Sequence, residues 1–387
     1  MPAFRVIFII IFCIGGSEWS YNTVIGWITY EISKSELITS FALGISGLPF
    51  LFIGIFAGSI VDRFNRHKLL IVGLSWMLLA SIIFSLLALV GKISVPVIYI
   101  FAFVNGMGGL IFHIVTQPLI TNMVPRSYLV NSFALESFSY HMAQFLIPIA
   151  VGALIAWEGP GIALLVPVIF YFIALMAAWF LKTESSESRM LVEGGSQGLI
   201  TEGLKYIWNS RSIFPLLVVS IIPVVFVMPT LYGLLPVYAV EVFDVGPTGL
   251  GALTSAMGIG AALGAILLAF VGNNGHKGKL IIISILVSVL ATFIFALNSV
   301  LQVAFPILGV TLGALIIYFS TGTALVQSLA VDEMRGRVAA ITAIPIGLFP
   351  VGSIIAGSIA ELIGAANTTI VVAVFSLILL VLFTRYY

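Results

Sequence analysis

Long apolar runs recur along the whole chain and are separated by short polar turns. Each run has about the 20 residues that an α-helix needs to cross the hydrocarbon core of a bilayer. Breaks at charged residues and at clusters of Gly, Pro and Asn predict twelve spans. These spans cover residues 4–30, 38–61, 67–91, 95–121, 129–157, 160–181, 213–240, 247–272, 278–298, 300–327, 336–363 and 367–384.

A polar segment separates the sixth span from the seventh. Its Ser, Gly and charged residues are typical of a flexible linker. Ile200, Leu204 and Ile207 then recur at helical spacing, which predicts a short amphipathic helix on the membrane surface. We therefore predict an all-α integral membrane protein with twelve transmembrane helices. Its parts are an N-terminal six-helix bundle at 1–181, a linker at 182–211 and a C-terminal six-helix bundle at 212–387.

The two halves of the chain are weakly similar to each other. Lys-Leu-Leu-Ile at 68–71, after the second span, corresponds to Lys-Leu-Ile-Ile at 279–282, after the eighth. The pair Gly152 and Gly159 likewise corresponds to Gly357 and Gly364. Repeated halves with a binding site between them are an arrangement of secondary transporters. This similarity predicts two pseudo-symmetric bundles around a central cavity.

Basic residues fall almost entirely on one side of the predicted membrane. When both termini are placed on that side, it holds fourteen of the sixteen Lys and Arg residues, and only Lys34 and Lys92 lie opposite. Cytoplasmic loops of membrane proteins carry such an excess. The distribution therefore predicts a multi-pass protein of the cell membrane with both termini in the cytoplasm.

Composition restricts the partners of the chain. It is 61% hydrophobic and 8% charged, with a mean hydropathy of +1.22 and a net charge of +1. The lipid bilayer is therefore the expected environment, and nucleic acid is not an expected partner. Cys13 is the only cysteine, which excludes an intrachain disulfide and a cysteine metal cluster. We expect no cofactor, no bound metal and a monomer.

The turn between the second and third spans resembles the signature of the major facilitator superfamily. Its glycine, acidic and basic positions are occupied by Gly58, Asp62, Arg63, Arg66 and Lys68. The resemblance implies that this loop is a conformational switch, in which the carboxylate pairs between the two bundles in one state. The alternative is that these charges serve only to fix the topology.

Further segments resemble the branch of this superfamily that includes the enterobactin exporter and the macrolide-efflux proteins. They lie at residues 30–35, 124–132, 203–207, 234–238 and 332–338. The resemblance implies a drug:proton antiporter. From this resemblance and from the internal repeat, we expect the gate residues of the second half to be Lys277, Lys279, Asp332, Arg335 and Arg337.

Two elements differ from the pattern of proton-coupled drug antiporters. The Gly-Pro-x-x-Gly-Gly element of the fifth helix is reduced here to Pro148 and Gly152. The fourth helix has Asn-Gly-Met-Gly-Gly at 105–109, without the usual arginine. These elements do not support proton coupling, so the candidates for it are other titratable residues.

Two acidic residues lie inside predicted spans. Glu18 follows Arg5 by thirteen residues, which places it about 20 Å along the first helix. A carboxyl group at this depth is a candidate for proton or substrate binding, and the alternative is a structural acid hydrogen-bonded to Ser, Tyr or Trp. Glu136, in the fifth span, either binds a proton or a cationic substrate or pairs with Arg126 or with the 335–337 turn.

Two histidine–glutamine pairs also lie inside spans. His113 and Gln117 are four residues apart on the fourth helix, and His141 and Gln144 are three apart on the fifth. Each pair therefore shares one helix face. Either histidine has the intrinsic pKa to titrate near physiological pH. The alternative is a hydrogen-bonded packing role.

Taken together, these features favour a secondary transporter that works by alternating access. We expect proton-coupled export of a small amphipathic or hydrophobic compound, drug-like or siderophore-like. The chain has no nucleotide-binding loop and no catalytic constellation, so we expect no ATP hydrolysis and no enzyme. The alternatives are a lysophospholipid flippase or solute facilitator of the same fold, and a non-transporting membrane sensor or scaffold.

The predicted topology is tested by thiol labelling in a Cys13→Ala background. A cysteine that replaces Lys34 should react with a membrane-impermeant maleimide added to intact cells, because the first external turn is exposed to it. A cysteine that replaces Ser186 should react only after the membrane is permeabilised. The opposite pattern would reverse the orientation.

Overall fold

The structure is a computed structural model that describes residues 2–54, 65–123, 129–181, 205–271, 276–331, 334, 338 and 344–386. These residues form helices and turns without a β-strand. Within them, ten helices are long and apolar enough to cross a membrane, and two shorter apolar helices occur at Glu36–Phe52 and Phe349–Ile363. The predicted all-α membrane fold is confirmed at this level.

We number the helices in chain order, and the bounds agree with the predicted spans to within a few residues where both ends are described. They are α1 Pro2–Ser33, α2 Glu36–Phe52, α3 Arg66–Leu89, α4 Val95–Met123, α5 Leu129–Glu158, α6 Pro160–Trp179, α7 Phe214–Val242, α8 Gly246–Val271, α9 Lys277–Leu297, α10 Leu301–Leu329, α11 Phe349–Ile363 and α12 Ala365–Tyr386. We call α1–α6 the N-half and α7–α12 the C-half.

Three helices depart from regular α geometry. The middle of α2 tightens into a 3₁₀ turn at Ile45–Gly47, and α7 widens into π-helix at Ile222–Val227 and Tyr238–Val242. A turn at Leu164 interrupts α6 near its start. Pro223 is the second residue of the first π segment, and Pro236 lies two residues before the second. The N–H groups that these prolines lack interrupt the regular backbone ladder.

Short connections make neighbouring helices antiparallel. The turns after α1, α3, α5, α7, α9 and α11 therefore lie at one end of the molecule, which we call the distal face. The first residues of these six helices and the last residues of the even-numbered helices lie at the other end, the terminal face. Gly159 and Gly364 each form a one-residue break at the distal face, with φ of 85° and 81°. This left-handed conformation favours glycine, and it recurs at corresponding places in the two halves.

The linker predicted at 182–211 is described only in its last part. Residues 182–204 lie outside the described residues. Residues 205–209 form a short helix in which Ile207 is buried and Trp208 is 73% exposed. Tyr206 accepts a hydrogen bond from the backbone of Val331 at 3.4 Å, so this helix lies against the end of α10.

The N-half and the C-half meet mainly along two helix pairs, α5 with α8 and α2 with α11, and α2 also packs against α7. Glycines bring the backbones together in both pairs. An ideal Cβ on Gly258 of α8 would lie 2.6 Å from the backbone nitrogen of Phe145 on α5. An ideal Cβ on Gly357 of α11 would lie 2.8 Å from the Cα atom of Leu37 on α2. Under the internal repeat, α2 corresponds to α8 and α5 to α11, so the two pairs are equivalent.

A second close approach joins α8 to α10 inside the C-half. The spacing of Gly260 and Gly264 predicts close helix packing, and the structure confirms it. Ideal Cβ atoms on these two residues would overlap the backbone carbonyls of Gly309 and Gly313. Gly54 and Gly58 have the same spacing and give the same prediction, but Gly58 lies outside the described residues.

Replacing Gly260 by alanine should destabilise the protein by about 1–3 kcal/mol, because the new methyl group forces α8 and α10 apart. Gly322→Ala is the matched control, since Gly322 is also helical but has no atom within 4 Å of an ideal Cβ. Thermal unfolding in detergent should show a lower midpoint for Gly260→Ala only. Equal midpoints for the two variants would contradict the packing.

Candidate functional site

A cavity of about 620 Å³ lies between the two halves. It adjoins a second cavity of about 350 Å³, and the two share Glu18, Tyr140 and Met228 among their lining residues. The shared residues belong to helices of both halves, so the two cavities form one central space.

The central space extends toward the terminal face. Leu70 and Phe133, which line the larger cavity, lie about one turn from the terminal-face starts of α3 and α5. The smaller cavity reaches Leu250 and Thr254 near the distal start of α8. The larger part of the central space therefore lies near the terminal face.

The two walls of the larger cavity differ in polarity. The C-half wall is formed by apolar residues. They are Val224, Met228, Ile316, Phe319 and Phe349. The N-half wall carries titratable and amide groups among its lining residues. They are Glu18, Asn22, Asn105, His113, Glu136 and His141. Such a cavity can accommodate a molecule with one polar and one apolar side.

Glu18 is surrounded by tyrosines from three other helices. The hydroxyl of Tyr140 on α5 is hydrogen-bonded to the Glu18 carboxyl. Tyr171 of α6 and Tyr232 of α7 also lie within electrostatic range of Glu18. This environment combines the two roles considered from the sequence, because the acid lines the cavity and is also hydrogen-bonded to a tyrosine.

The polar residues that neighbour Glu18 on α1 do not all face the cavity. Ser17, Ser20 and Thr23 donate hydrogen bonds to the carbonyls of Cys13, Gly16 and Trp19, at 2.9, 2.7 and 2.8 Å. Such back-bonding satisfies a hydroxyl inside a helix.

The polar run at 17–23 of α1 is therefore only partly directed toward the cavity. The polar side chains of α1 that line it are Glu18, Asn22 and Thr23.

His141 and Gln144 form a hydrogen-bonded link to the C-half. The Nδ1 atom of His141 lies 3.0 Å from Oε1 of Gln144, and Nε2 of Gln144 donates to the hydroxyl of Tyr232 at 3.4 Å. This orientation of the amide assigns a proton to Nδ1 of His141. The Tyr232 ring also packs against Trp19, with 5.6 Å between ring centroids.

His113 and Glu136 line the larger cavity at separate helices, α4 and α5. The His113 ring packs edge-on against Phe50 of α2, with 5.9 Å between ring centroids. No described residue forms a hydrogen bond or ion pair with Glu136. Its expected partners, Arg126 and the 335–337 turn, lie outside the described residues, as does the side chain of Gln117. Among the described residues there is no group of three or more potential metal ligands.

The switch loop is described only from Asn65 onward, so Gly58, Asp62 and Arg63 lie outside the described residues. Asn65 begins α3 and accepts hydrogen bonds from the backbone of His67 and Lys68, at 3.0 and 3.2 Å. Arg66 and Lys68 then occupy the first turn of α3.

The corresponding turn of the C-half is also basic. Lys277 and Lys279 occupy the first turn of α9, whereas Asp332, Arg335 and Arg337 lie outside the described residues. Cations at a helix N-terminus oppose the helix dipole. The charges on α3 and α9 therefore do not stabilise these helices, which favours a role in topology or gating.

Hydrogen bonds join the two halves near the distal face. The Ser35 hydroxyl and the Leu37 backbone N–H both donate to Oε2 of Glu361, at 2.8 and 3.1 Å. The Ser40 hydroxyl donates to the Ser353 carbonyl at 2.9 Å. The Tyr30 hydroxyl on α1 donates to Glu241 at the end of α7. We call this set of contacts the distal seam.

The sequence predicted neither the distal seam nor which tyrosines surround Glu18. Glu361 and Glu241 stand near the ends of apolar runs, where a single charge also marks an ordinary helix boundary. Tyr140, Tyr171 and Tyr232 are far apart in the chain and have no common spacing. Only the packing of α1, α5, α6 and α7 brings them to one place.

Comparison with known proteins gives one family for nearly the whole chain. Residues 1–386 match the major facilitator family described as transmembrane secretion effector. Macrolide efflux protein A of Streptococcus pyogenes is 24% identical over 343 residues, which are 86% of this chain and 83% of that protein. Multidrug efflux pump Tap of Mycolicibacterium fortuitum is 22% identical over 357 residues, 88% of this chain and 85% of that protein.

The fold is also similar to that of solved transporters. The crystal structure of the nucleoside transporter NupG aligns with a TM-score of 0.77 and 13% sequence identity. The alignment covers 100% of this chain and 99% of that one.

The hydration of the cavity can be tested with neighbouring cysteines on α5. Ser137→Cys should react quickly with a charged methanethiosulfonate from the terminal side, because Ser137 lines the cavity. Phe138→Cys is the matched control, since Phe138 is not among the cavity residues and is 42% exposed on the outer surface, where lipid excludes the charged reagent. Equal rates in a Cys13→Ala background would contradict the assignment.

Proposed function

Because the chain belongs to the transmembrane secretion effector family of the major facilitator superfamily, we propose that it exports small amphipathic molecules by secondary transport. Members of this family are membrane transporters and not enzymes. The observation that carries the proposal is the central cavity, which has acids on one wall and an apolar opposite wall.

The proposed architecture is twelve membrane spans in two six-helix bundles. Ten long apolar helices and the two shorter apolar helices, α2 and α11, supply the twelve segments. The two short helices belong to different halves and pack against each other. The repeated single-glycine breaks at Gly159 and Gly364 support the internal repeat on which this division depends.

The proposed orientation places the terminal face in the cytoplasm. The excess of basic residues on that side supports it. With this orientation, the central space extends toward the cytoplasm and the distal seam closes it to the outside. That arrangement suits an exporter before it has loaded substrate. Alternating access would require the distal seam to open while the terminal face closes.

The proposed substrate is an amphipathic molecule, preferably with a positive charge. Glu18 and Glu136 supply carboxyl groups, and the tyrosines near Glu18 supply ring faces that attract cations. Phe319, Phe349 and Met228 supply apolar contact on the other wall. The efflux proteins to which this chain is similar support export as the direction.

The proposed coupling ion is the proton, and Glu18 is the proposed coupling group. A carboxyl group inside a membrane protein is expensive to ionise unless water or a partner stabilises it. Competition of substrate and proton for Glu18 would link the two fluxes. His113, His141 and Glu136 are further candidates because they line the same space. The hydrogen bond from Tyr140 supports Glu18 as the first choice.

Glu18→Gln should abolish dye export driven by a pH gradient while sparing downhill exchange of the dye. The amide keeps the shape of a protonated carboxyl but cannot release a proton. The assay uses purified protein in proteoliposomes, a lipophilic cationic dye and an imposed pH gradient. Glu31→Gln is the matched control, because Glu31 lies on the same helix but is exposed.

Two outcomes would overturn parts of this account. Export by Glu18→Gln that still concentrates the dye in response to pH would exclude Glu18 as the coupling group. Dye movement by the unmodified protein that no ion gradient affects would instead indicate a facilitator.

A further inference from the structure

One side of α11 follows α2 across the boundary between the halves. Ser353, Gly357 and Glu361 are spaced by four residues, so they lie along one face of α11. Each of them contacts α2. Ser353 accepts the hydrogen bond from Ser40, and Gly357 allows the backbone approach at Leu37. Glu361 is the last of the three and lies nearest the distal face.

Glu361 binds the start of α2 from the opposite half. Ser35 caps α2 and accepts a hydrogen bond from the backbone of Ile38 at 3.2 Å. Its hydroxyl also donates to Glu361 at 2.8 Å, and the Leu37 N–H donates to the same oxygen at 3.1 Å. Free N–H groups and the helix dipole both favour an anion at a helix start. Here a carboxylate of another helix, 324 residues away in sequence from Leu37, satisfies them.

Other acids surround this contact. Glu36 hydrogen-bonds to Glu361 through its side chain, which requires a proton on one of the two carboxyl groups, and Glu241 of α7 acts on Glu36 electrostatically. When both acids are ionised, their like charges oppose the contact. Tyr30 faces both Glu36 and Glu361, and the Lys34 ammonium lies 5.7 Å from the centroid of its ring. Glu361 is exposed to solvent, which weakens each of these interactions. The contact is therefore strong enough to favour one arrangement and weak enough to break.

We propose that Glu361 is a positioning residue that latches the distal gate by capping α2 across the boundary between the halves. The latch favours the arrangement in which the central space is closed at the distal face. Gly357 is part of the latch because it sets the distance between the helices. This inference rests on the proposed function, since a gate has a role only in a protein that alternates between two states.

Opening of the gate would expose polar groups of α2. When α11 moves away, the Ser35 hydroxyl and the Leu37 N–H lose Glu361 and must bind water, which is accessible at the distal face. The free-energy difference between the latched and the released state is therefore moderate. This is the property that a gate needs, because a difference much larger than thermal energy would keep one state permanently populated.

The latch can be tested by measuring the distance between the halves with spin labels. Lys92→Cys and Asn367→Cys place one label on each half at exposed positions of the distal face, in a Cys13→Ala background in nanodiscs at fixed pH. Glu361→Ala should raise the ratio of the long-distance to the short-distance population about fivefold, which corresponds to about 1 kcal/mol. Gly357→Ala should shift the ratio in the same direction, although it leaves the carboxylate in place.

Two further variants separate a latch from a general loss of structure. Glu36→Gln should shift the ratio toward the short distance, because the amide still donates to Glu361 and the opposing acid is removed. Glu158→Ala is the matched control, since Glu158 is an exposed acid at the distal end of α5, and it should leave the ratio unchanged. All variants should elute as single peaks in size-exclusion chromatography, and Glu361→Gln should give a smaller shift than Glu361→Ala.

An unchanged ratio in Glu361→Ala and Glu361→Gln would overturn the latch, as would an equal shift in Glu158→Ala. The distance measurement requires no substrate. It therefore tests the latch even if none of the dyes is exported, and a failure of export would count against the proposed function alone.

Discussion

Lipid does not form hydrogen bonds, and this constraint decides where polar groups can lie within the membrane. Backbone groups are satisfied within helices, and the hydroxyls of Ser17, Ser20 and Thr23 on α1 bond to carbonyls one turn earlier. The acids that cannot be satisfied locally lie where helices from different parts of the chain meet. Glu18 contacts Tyr140 in the centre, and Glu361 contacts the start of α2 at the distal face. The functional groups are thus concentrated at the boundary between the halves.

The boundary between the halves is built from two equivalent helix pairs. In α5–α8 and in α2–α11, glycines allow the backbones to approach closely, and Gly152 and Gly357 occupy corresponding places in the repeat. In the proposed alternating access, each half would move as one packed body, with the two pairs acting as the contact about which it turns. Glycines have no side chains that interlock, which favours such movement. The proposed latch at Glu361 would favour one of the two states.

Much of the fold could be predicted from the sequence because hydrocarbon imposes strong periodicity. The spans of α3, α6 and α9 follow from apolar length alone. Glu18 could be selected because a carboxyl group in the middle of an apolar run is rare. The pairing of His141 with Gln144 follows from helical spacing.

The rest required tertiary structure. The three tyrosines around Glu18 come from different helices, and no local pattern connects them. Glu361 resembles an ordinary charge at the end of a span, and its significance appears only when α2 is placed beside it. The polar run at 17–23 does not form one hydrated face of α1, because the hydroxyls of Ser17 and Ser20 bond to carbonyls of their own helix.

The central claim is that transport requires the distal seam to open. The most direct measurement is export by a protein whose seam is closed by a disulfide between Ser40→Cys and Gly233→Cys. An ideal Cβ on Gly233 would lie 3.0 Å from the Cβ of Ser40, so a small relaxation allows the bond. In a Cys13→Ala background, the account predicts that oxidation abolishes dye export and that reduction restores it, while export by each single-cysteine protein is the same under oxidising and reducing conditions. Export by the fully cross-linked protein at the reduced rate would contradict it.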